Sequence, residues 1–395
     1  MLAERRDVAG VTRASVPWCV MRGGTRRRIK TYLWCVFGGM LAGAIYGAFI
    51  GRLVGRPLVL GAGTGIVHGL SIAAILATLE IFGARTRPGQ AVERAPFLAT
   101  VLIKALVYGG VIAVVEATSP GARAFGQIPA YPPFTSAFGL MAIAFSVVMT
   151  IAFLFLIEVV RLVGASTLRA IVLGRYHRPR AEERFFLFID VVGSTPLAER
   201  LGPAGVHRFL DRVFRLAADP IDDARGHIYQ YVGDEVVVTW TVAAGRVAAR
   251  PLQCFFSIEE ALRRDGDLFV RRFGAAPRLR AALHAGPVIV GEVGETKREI
   301  VFHGDVMNTA ARLEQVSRDL DRRFVASADA LERLEDTEGF ALEDLGLQTL
   351  RGRAAPVRVW AIELGGPDMA PQTPQRSERR GKAVALLDPP TRFDG

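Results

Sequence analysis

The amino-acid sequence predicts an α+β domain preceded by an all-α four-helix transmembrane domain. Hydrophobic residues make up 50% of the chain and the mean hydropathy is +0.27, which is high for a protein that is soluble throughout. The apolar residues of the first half lie in four long runs. The second half instead alternates β-branched and aromatic runs with segments of helical spacing.

Each of the four apolar runs exceeds the roughly 20 residues that a helix needs to cross a bilayer core. They cover residues 32–54, 57–82, 96–117 and 134–163. The first run is too long for a signal-peptide core, so it is interpreted as an anchor. The predicted organisation is a basic cytoplasmic N-terminal segment (1–30), a four-helix transmembrane domain (31–165), a helical linker (166–180), the α+β domain (181–365) and a disordered tail (366–395).

Basic residues determine the predicted orientation, because cytoplasmic loops carry an excess of Lys and Arg. They precede the first span, separate the second from the third, and follow the fourth, within 26–30, 85–94 and 169–180. Both termini and the α+β domain are therefore expected in the cytoplasm, and residues 118–133 outside it. The protein is predicted to be a multi-pass protein of the inner (plasma) membrane.

The same basic clusters account for the formal net charge of +10, so this charge does not predict a nucleic-acid partner. The cysteines, Cys19, Cys35 and Cys254, form no Cys-x-x-Cys motif and no cluster with histidine. Neither a disulfide framework nor a zinc site is expected.

Small and ionisable residues mark the inside of the predicted spans. Glycine recurs every four residues in the first span, from Gly39 to Gly51, and in the second, from Gly61 to Gly69. Such stripes let helices approach closely, either within one bundle or at a dimer seam. The ionisable residues are His68, Glu80, Lys104 and Glu158. An acid is expected to neutralise Lys104; a role in signal transmission, or a ligand contact by His68, stays open.

The order of elements in the second half predicts a ferredoxin-like core. The run FFLFID is interpreted as a strand, 196–224 as a helix, and IYQYVGDEVVVTW as a hairpin whose turn is Gly233-Asp234. A helix over about 245–272, a strand over 278–285, and further strands and a helix within 287–319 follow. This β-α-β-β-α-β order is typical of an α+β sandwich.

Four segments of this domain resemble, in order and spacing, the signature segments of class III adenylate and guanylate cyclases. They are FIDVVGST at 188–195, GDE at 233–235, Lys297, and GDVMNTAARLE at 304–314. The resemblance covers about 184–363. It implies that ATP is converted to 3′,5′-cyclic AMP and pyrophosphate, with two Mg²⁺ or Mn²⁺ ions, at a site shared across a homodimer.

The resemblance also implies roles for individual residues. Asp190 and Asp234 would be the metal ligands, because hard divalent cations prefer carboxylate oxygen. The turn Gly193-Ser194-Thr195 would bind the β and γ phosphates at the start of a helix opening at Pro196. Asn308 would position the ribose, and Arg312, four residues later on the same helix face, would stabilise charge on the α-phosphate.

Base selection is assigned by the resemblance to Lys297, which would donate to adenine N1. Val301 occupies the position where the family usually has an Asp or Thr acceptor, so strict preference for ATP over GTP is in doubt. Arg351 and Arg353 resemble the basic pair that meets the triphosphate, although a solvated strand end is the alternative. Asp305 is expected to cap its helix.

Three other functions are considered. A guanylate cyclase would be expected to have a carboxylate at Lys297. A catalytically weak nucleotide-binding module would be expected to lack a metal Asp, the Asn or the Arg, and none is lost. A transporter with a regulatory domain is disfavoured because four spans with few intramembrane charges offer little to form a transport pathway.

Overall fold

The computed structural model describes residues 23–83, 86–93, 95, 97–118, 137–353 and 355–365. Most of the segment expected outside the cytoplasm, residues 1–22 of the basic N-terminal segment, and the tail 366–395 lie outside these ranges. The chain divides into two compact units between Arg175 and Tyr176.

The N-terminal unit is helical. Its described helices are α1 (Gly23–Leu53), α2 (Leu58–Ile81), α3 (Arg87–Glu93), α4 (Phe97–Thr118), α5 (Ala137–Val163) and α6 (Ala165–Val172). Of these, two contain segments long and apolar enough to cross a membrane, Arg28–Leu53 and Leu58–Ile81. Helices α4 and α5 coincide with the third and fourth predicted spans, but their membrane crossing stays a prediction.

Helices α1 and α2 pack through their glycines. A Cβ atom built on Gly43 would lie 2.1 Å from the Gly65 carbonyl oxygen, and one on Gly65 would lie 2.0 Å from the Gly43 carbonyl oxygen. Neither position has room for a side chain, so the two backbones touch. The glycine stripes thus meet within one chain, as the bundle interpretation predicted.

A buried ion pair joins α2 to α4, as the sequence predicted for Lys104. Its ammonium donates to the Glu80 carboxylate at 2.6 Å, and the Tyr108 hydroxyl donates to the same carboxylate. Glu80 is 7% exposed, so the pair neutralises a charge that would be costly in an apolar interior. His68 contacts the Thr64 carbonyl oxygen in its own helix at 3.0 Å. The Glu158 side chain lies outside the described ones.

The C-terminal unit is an α+β domain built on an eight-stranded sheet. Its strands are β1 (Arg180–Val191), β2 (His227–Val232), β3 (Glu235–Thr241), β4 (Leu279–Val293), β5 (Glu299–His303), β6 (Phe324–Ser327), β7 (Phe340–Gln348) and β8 (Val357–Leu364). Its α-helices are α7 (Ser194–Asp223), α8 (Val242–Gly245), α9 (Arg250–Arg264), α10 (Gly266–Phe273), α11 (Asp305–Asp319) and α12 (Ala328–Leu331).

The strand order is β2-β3-β1-β4-β6-β8-β7, with β5 paired to β4. Strand β1 runs antiparallel to both β3 and β4, so it lies at the centre of the predicted β-α-β-β-α-β core. The core prediction is confirmed. The later strands extend the sheet beyond β4, where β6 is added in parallel.

Two predicted elements differ from the structure. The helix expected over 245–272 is interrupted twice: Ala248 and Ala249 have positive φ between α8 and α9, and a second break at Asp265 separates α9 from α10. The strand expected over 278–285 continues to Val293, since its second half pairs with β5. The length of β4 is thus set by its pairing with other strands, and the local sequence does not reveal that pairing.

The sheet carries helices on both faces, and this places the site. On one face, Phe185, Leu187 and Ile189 of β1 pack in the main core with residues of α7 and α9. On the other face, Ala282 of β4 packs with Leu313 of α11. Because side chains alternate along a strand, Asp190 faces the α11 side.

Candidate active site

Two carboxyl groups meet where β1 ends. Asp190 pairs in register with Glu235, the first residue of β3, and Asp234 lies in the two-residue turn just before it. Gly233 adopts φ of 62°, which suits the tight hairpin turn predicted from the sequence. The Asp190 and Asp234 carboxyl groups come within hydrogen-bond reach of each other although they are far apart in the chain.

The surroundings of these carboxyl groups are unusually acidic. Burial, and then the neighbouring Asp234, raise the pKa of Asp190 to about 7. Burial, and then the charge of Glu314, raise the pKa of Glu235 to about 7. Glu314 itself is 8% exposed. A group of acids held this close repels further negative charge and attracts cations.

One cation of the chain itself meets this cluster. The Arg318 guanidinium lies 3.3 Å from the Asp190 carboxylate and also donates to Glu314, one turn earlier on α11. The sequence analysis assigned no role to Glu235, Glu314 or Arg318. The i,i+4 spacing of Glu314 and Arg318 in the sequence predicts their pairing, but it does not predict the contact of Arg318 with Asp190.

The donor set fits a magnesium or manganese site that is completed by substrate. Such ions are held by one or two carboxylates together with phosphate oxygens and water. Asp190 and Asp234 supply two adjacent carboxylates whose mutual repulsion a divalent cation would relieve. Within the described ranges, no group of three or more His, Cys, Asp or Glu side chains has an arrangement that could hold a metal ion.

The proposed phosphate-binding segment follows β1 directly. Helix α7 begins at Ser194, two residues earlier than predicted, and Gly193 precedes it with φ of 75°. Pro196 is the third residue of this helix, still within the first turn, where its missing N–H costs no hydrogen bond. The backbone N–H groups of Ser194 and Thr195 are therefore among those that can serve an anion.

Helix α11 carries Asn308, which is exposed, and Arg312, which is half-buried. The prediction that Asp305 caps this helix is wrong, because Gly304 occupies the N-cap position and Asp305 is the first helical residue. Its carboxylate instead accepts a hydrogen bond from the Thr309 hydroxyl at 3.2 Å. The Arg312 guanidinium lies beside Gly352 in the turn between β7 and β8.

The remaining predicted residues have different surroundings. Lys297 lies in the connection between β4 and β5, is 83% exposed, and forms an ion pair with Glu299. Arg351 is exposed. Arg353 donates to Thr309 at 2.9 Å, so it contacts the helix of Asn308 and Arg312. Val301 is half-buried in β5.

The structure of one chain brings together only part of the predicted site. Asp190 and Asp234 meet, and the basic turn meets α11. In the described part of the chain, no hydrogen bond or ion pair joins these two carboxylates to the other three predicted residues, namely Lys297, Asn308 and Arg312.

The C-terminal domain is similar to known proteins. Residues 177–363 match the family model of the adenylate and guanylate cyclase catalytic domain. Adenylate cyclase 2 of Rhizobium meliloti (strain 1021) is 39% identical over 212 residues, which is 54% of this chain and 58% of the relative. Adenylate cyclase 1 of the same organism is 28% identical over 181 residues, or 45% of this chain and 27% of the relative. This chain thus matches less than two thirds of either relative.

Similar chains also occur among solved structures. The crystal structure of the adenylyl cyclase CyaB from P. aeruginosa is 20% identical, with a TM-score of 0.41, over 49% of this chain and 100% of that chain. A bacterial light-regulated adenylyl cyclase is 18% identical, with a TM-score of 0.48, over 58% of this chain and 67% of that chain.

Proposed function

We propose, from the match of residues 177–363 to the family model of the adenylate and guanylate cyclase catalytic domain, that this protein is an adenylate cyclase. It would convert ATP to 3′,5′-cyclic AMP and pyrophosphate. The observation that carries the proposal is the meeting of the Asp190 and Asp234 carboxyl groups beside the exposed start of α7. The 39% identity to a protein named adenylate cyclase favours ATP as substrate.

The reaction joins the ribose 3′ oxygen to the α-phosphorus and releases pyrophosphate. Two Mg²⁺ or Mn²⁺ ions bound by Asp190 and Asp234 would activate the 3′ hydroxyl and offset phosphate charge. The first-turn N–H groups at Ser194 and Thr195 would donate to the terminal phosphates, whose charge suits the positive end of a helix. Arg312 would donate to the α-phosphate as charge develops there.

The separation of the two residue groups supports a shared site. Asp190 and Asp234 would serve one face of the nucleotide, and Lys297, Asn308 and Arg312 of a second copy would serve the other. A symmetric homodimer then contains two equivalent sites. Complementation between two differently inactivated chains, described in the Discussion, tests this arrangement.

Base preference is proposed to rest on Lys297, which would donate to adenine N1. Val301 offers no side-chain acceptor for the adenine amine. Glu299 lies beside Lys297 and brings a carboxylate to the same place, so guanylate cyclase activity is the second candidate. A carboxylate could accept from the N–H groups of guanine, and for this reason both nucleotides belong in the assay.

The membrane arrangement is also a proposal. Segments of α1 and α2 are long and apolar enough to cross a bilayer. We propose that α4 and α5 cross as well, so that residues 31–165 form a four-helix transmembrane domain in the inner (plasma) membrane. The segment 166–180 would be the linker, and the cyclase domain (181–365) would lie in the cytoplasm, where ATP is available.

The test is to incubate the purified full-length protein with Mn²⁺ and either ATP or GTP and identify the product. We expect 3′,5′-cyclic AMP from ATP, and loss of at least about a hundredfold in rate in Asp190→Asn and in Asp234→Asn, because both carboxylates hold the ions. Asp211→Asn is the matched control, since Asp211 pairs with Arg215 on the surface of α7. Substantial activity in either site variant would contradict the two-metal assignment.

A further inference from the structure

The turn between β7 and β8 is fixed against α11. Leu350 is 2% exposed and packs in the same cluster as Leu313 of α11. The Arg353 N–H donates to the Leu350 carbonyl at 3.0 Å, and Gly352 supplies the positive φ of 73° in between. Because one end of this turn is buried under the helix, the turn and the helix are held at a set distance.

Arg353, in this turn, contacts α11 directly through its guanidinium. Its Nη1 donates to the Thr309 hydroxyl at 2.9 Å, and its Nε lies 3.6 Å from the Asp305 carboxylate. The Thr309 hydroxyl accepts from Arg353 and donates to Asp305 at 3.2 Å. Thr309 is fully buried, so this hydroxyl has both its hydrogen-bonding roles satisfied away from water.

These contacts lie at the part of α11 that matters for the proposed reaction. Thr309 follows Asn308 directly, and Arg312 is three residues further along the same helix. Gly352 faces the Arg312 guanidinium: a Cβ atom at Gly352 would lie 3.4 Å from the Arg312 Nη2. A rotation or translation of the first two turns of α11 would move both Asn308 and Arg312.

We propose that Arg353 is a positioning residue that holds the first turns of α11, and that of the two arginines in this turn only Arg351 is available to the triphosphate. This rests on the proposed cyclase function. The Arg353 guanidinium is committed to Thr309 and Asp305, and its side chain is 27% exposed. Arg351 is exposed and has no contact with α11 among the described hydrogen bonds and ion pairs.

The experiment compares Arg353→Met with Arg351→Met in the full-length protein. Loss of positioning should lower kcat of Arg353→Met by about ten- to a hundredfold, because small displacements of catalytic groups have effects of this size. The inhibition constant of pyrophosphate should stay within twofold of wild type. Arg351→Met should instead raise that constant several-fold. If Arg353→Met weakens pyrophosphate inhibition as much as Arg351→Met, the positioning role is wrong.

Thr309→Val provides the second arm. It removes the hydroxyl that Arg353 contacts. The double variant Arg353→Met/Thr309→Val should therefore have nearly the kcat of the poorer single variant. Its melting temperature should likewise fall by less than the sum of the two single decreases. Additive losses would overturn the proposal. Arg353→Lys retains a cation and should recover part of the lost kcat. The two claims can fail separately. A wild-type protein that forms no cyclic nucleotide would refute the cyclase function. The melting temperatures of the variants would still test the Arg353–Thr309 contact, because they do not depend on turnover.

Discussion

Arg318 should weaken metal binding, and its removal should strengthen it. The guanidinium lies 3.3 Å from the Asp190 carboxylate, which is a proposed metal ligand. A divalent cation at Asp190 and Asp234 must therefore compete with a positive charge of the chain itself. The substitution Arg318→Met keeps much of the aliphatic length but removes this charge.

The size of the effect follows from distance and exposure. Two unit charges 3.3 Å apart attract by ~5 kcal/mol at an effective dielectric constant of about 20. The Arg318 side chain is 47% exposed, so solvent screens most of this attraction, and ~1 kcal/mol is the scale for such a pair. Removal of the charge should therefore lower the half-saturating Mn²⁺ concentration about fivefold.

The assay is calorimetric titration of the purified full-length protein with Mn²⁺, repeated as the metal dependence of activity at fixed ATP. Arg322→Met is the matched control. Arg322 lies four residues after Arg318 in the sequence but pairs with Glu343 rather than with the proposed metal ligand Asp190. Without metal, Arg318→Met should also melt earlier than wild type, since the buried Glu314 carboxylate loses its cationic partner. A half-saturating concentration that stays equal or rises would refute the reasoning.

Two further predictions concern the shared site and pH. Asp190→Ala and Arg312→Ala should each be inactive alone. Co-expressed chains should regain about a quarter of wild-type activity, since half of the dimers are mixed and half of the sites in those dimers are intact. If differently tagged chains form mixed dimers that have no activity, a shared site is excluded. Burial lowers the pKa of His284 to about 4. Because the unfolded state then binds more protons at this site, His284 contributes free energy of unfolding that is lost as the pH falls from ~6.5 to ~4, which is a positive slope with pH. His284→Gln should flatten this slope in denaturant melts, whereas the exposed-site control His207→Gln should retain it.

The parts of the fold that were predicted correctly have strong local signals. The run FFLFID lies within β1, and the Gly233-Asp234 turn joins β2 to β3 as expected. Both depend on patterns that neighbouring residues determine, namely β-branched or aromatic runs and a glycine that permits positive φ. The division of the 245–272 helix was missed because Ala248 and Ala249 have no sequence signature for positive φ.

The site was predictable only to the extent that it resembles a known family. Asp190 and Asp234 were expected to converge, and they do. The contact of Arg318 with Asp190 joins residues 128 positions apart, so no local pattern contains it. The hydrogen bond from Arg353 to Thr309 likewise depends on how the β7–β8 turn packs on α11, so no local pattern predicts it.

Helix α11 links the two halves of the proposed site in a way that follows from its geometry. Its first turns carry Asn308 and Arg312, which in a symmetric dimer would serve the nucleotide bound by the partner copy. Its last turn carries Arg318, which contacts Asp190 of its own chain. If α11, a helix of 15 residues, moves as one body, a metal ion that displaced Arg318 at one proposed site would act on the helix that serves the other. In such a dimer the two sites would be coupled through α11, and Arg353, which contacts Thr309 and Asp305 at the opposite end of this helix, would limit how far that coupling moves Asn308 and Arg312.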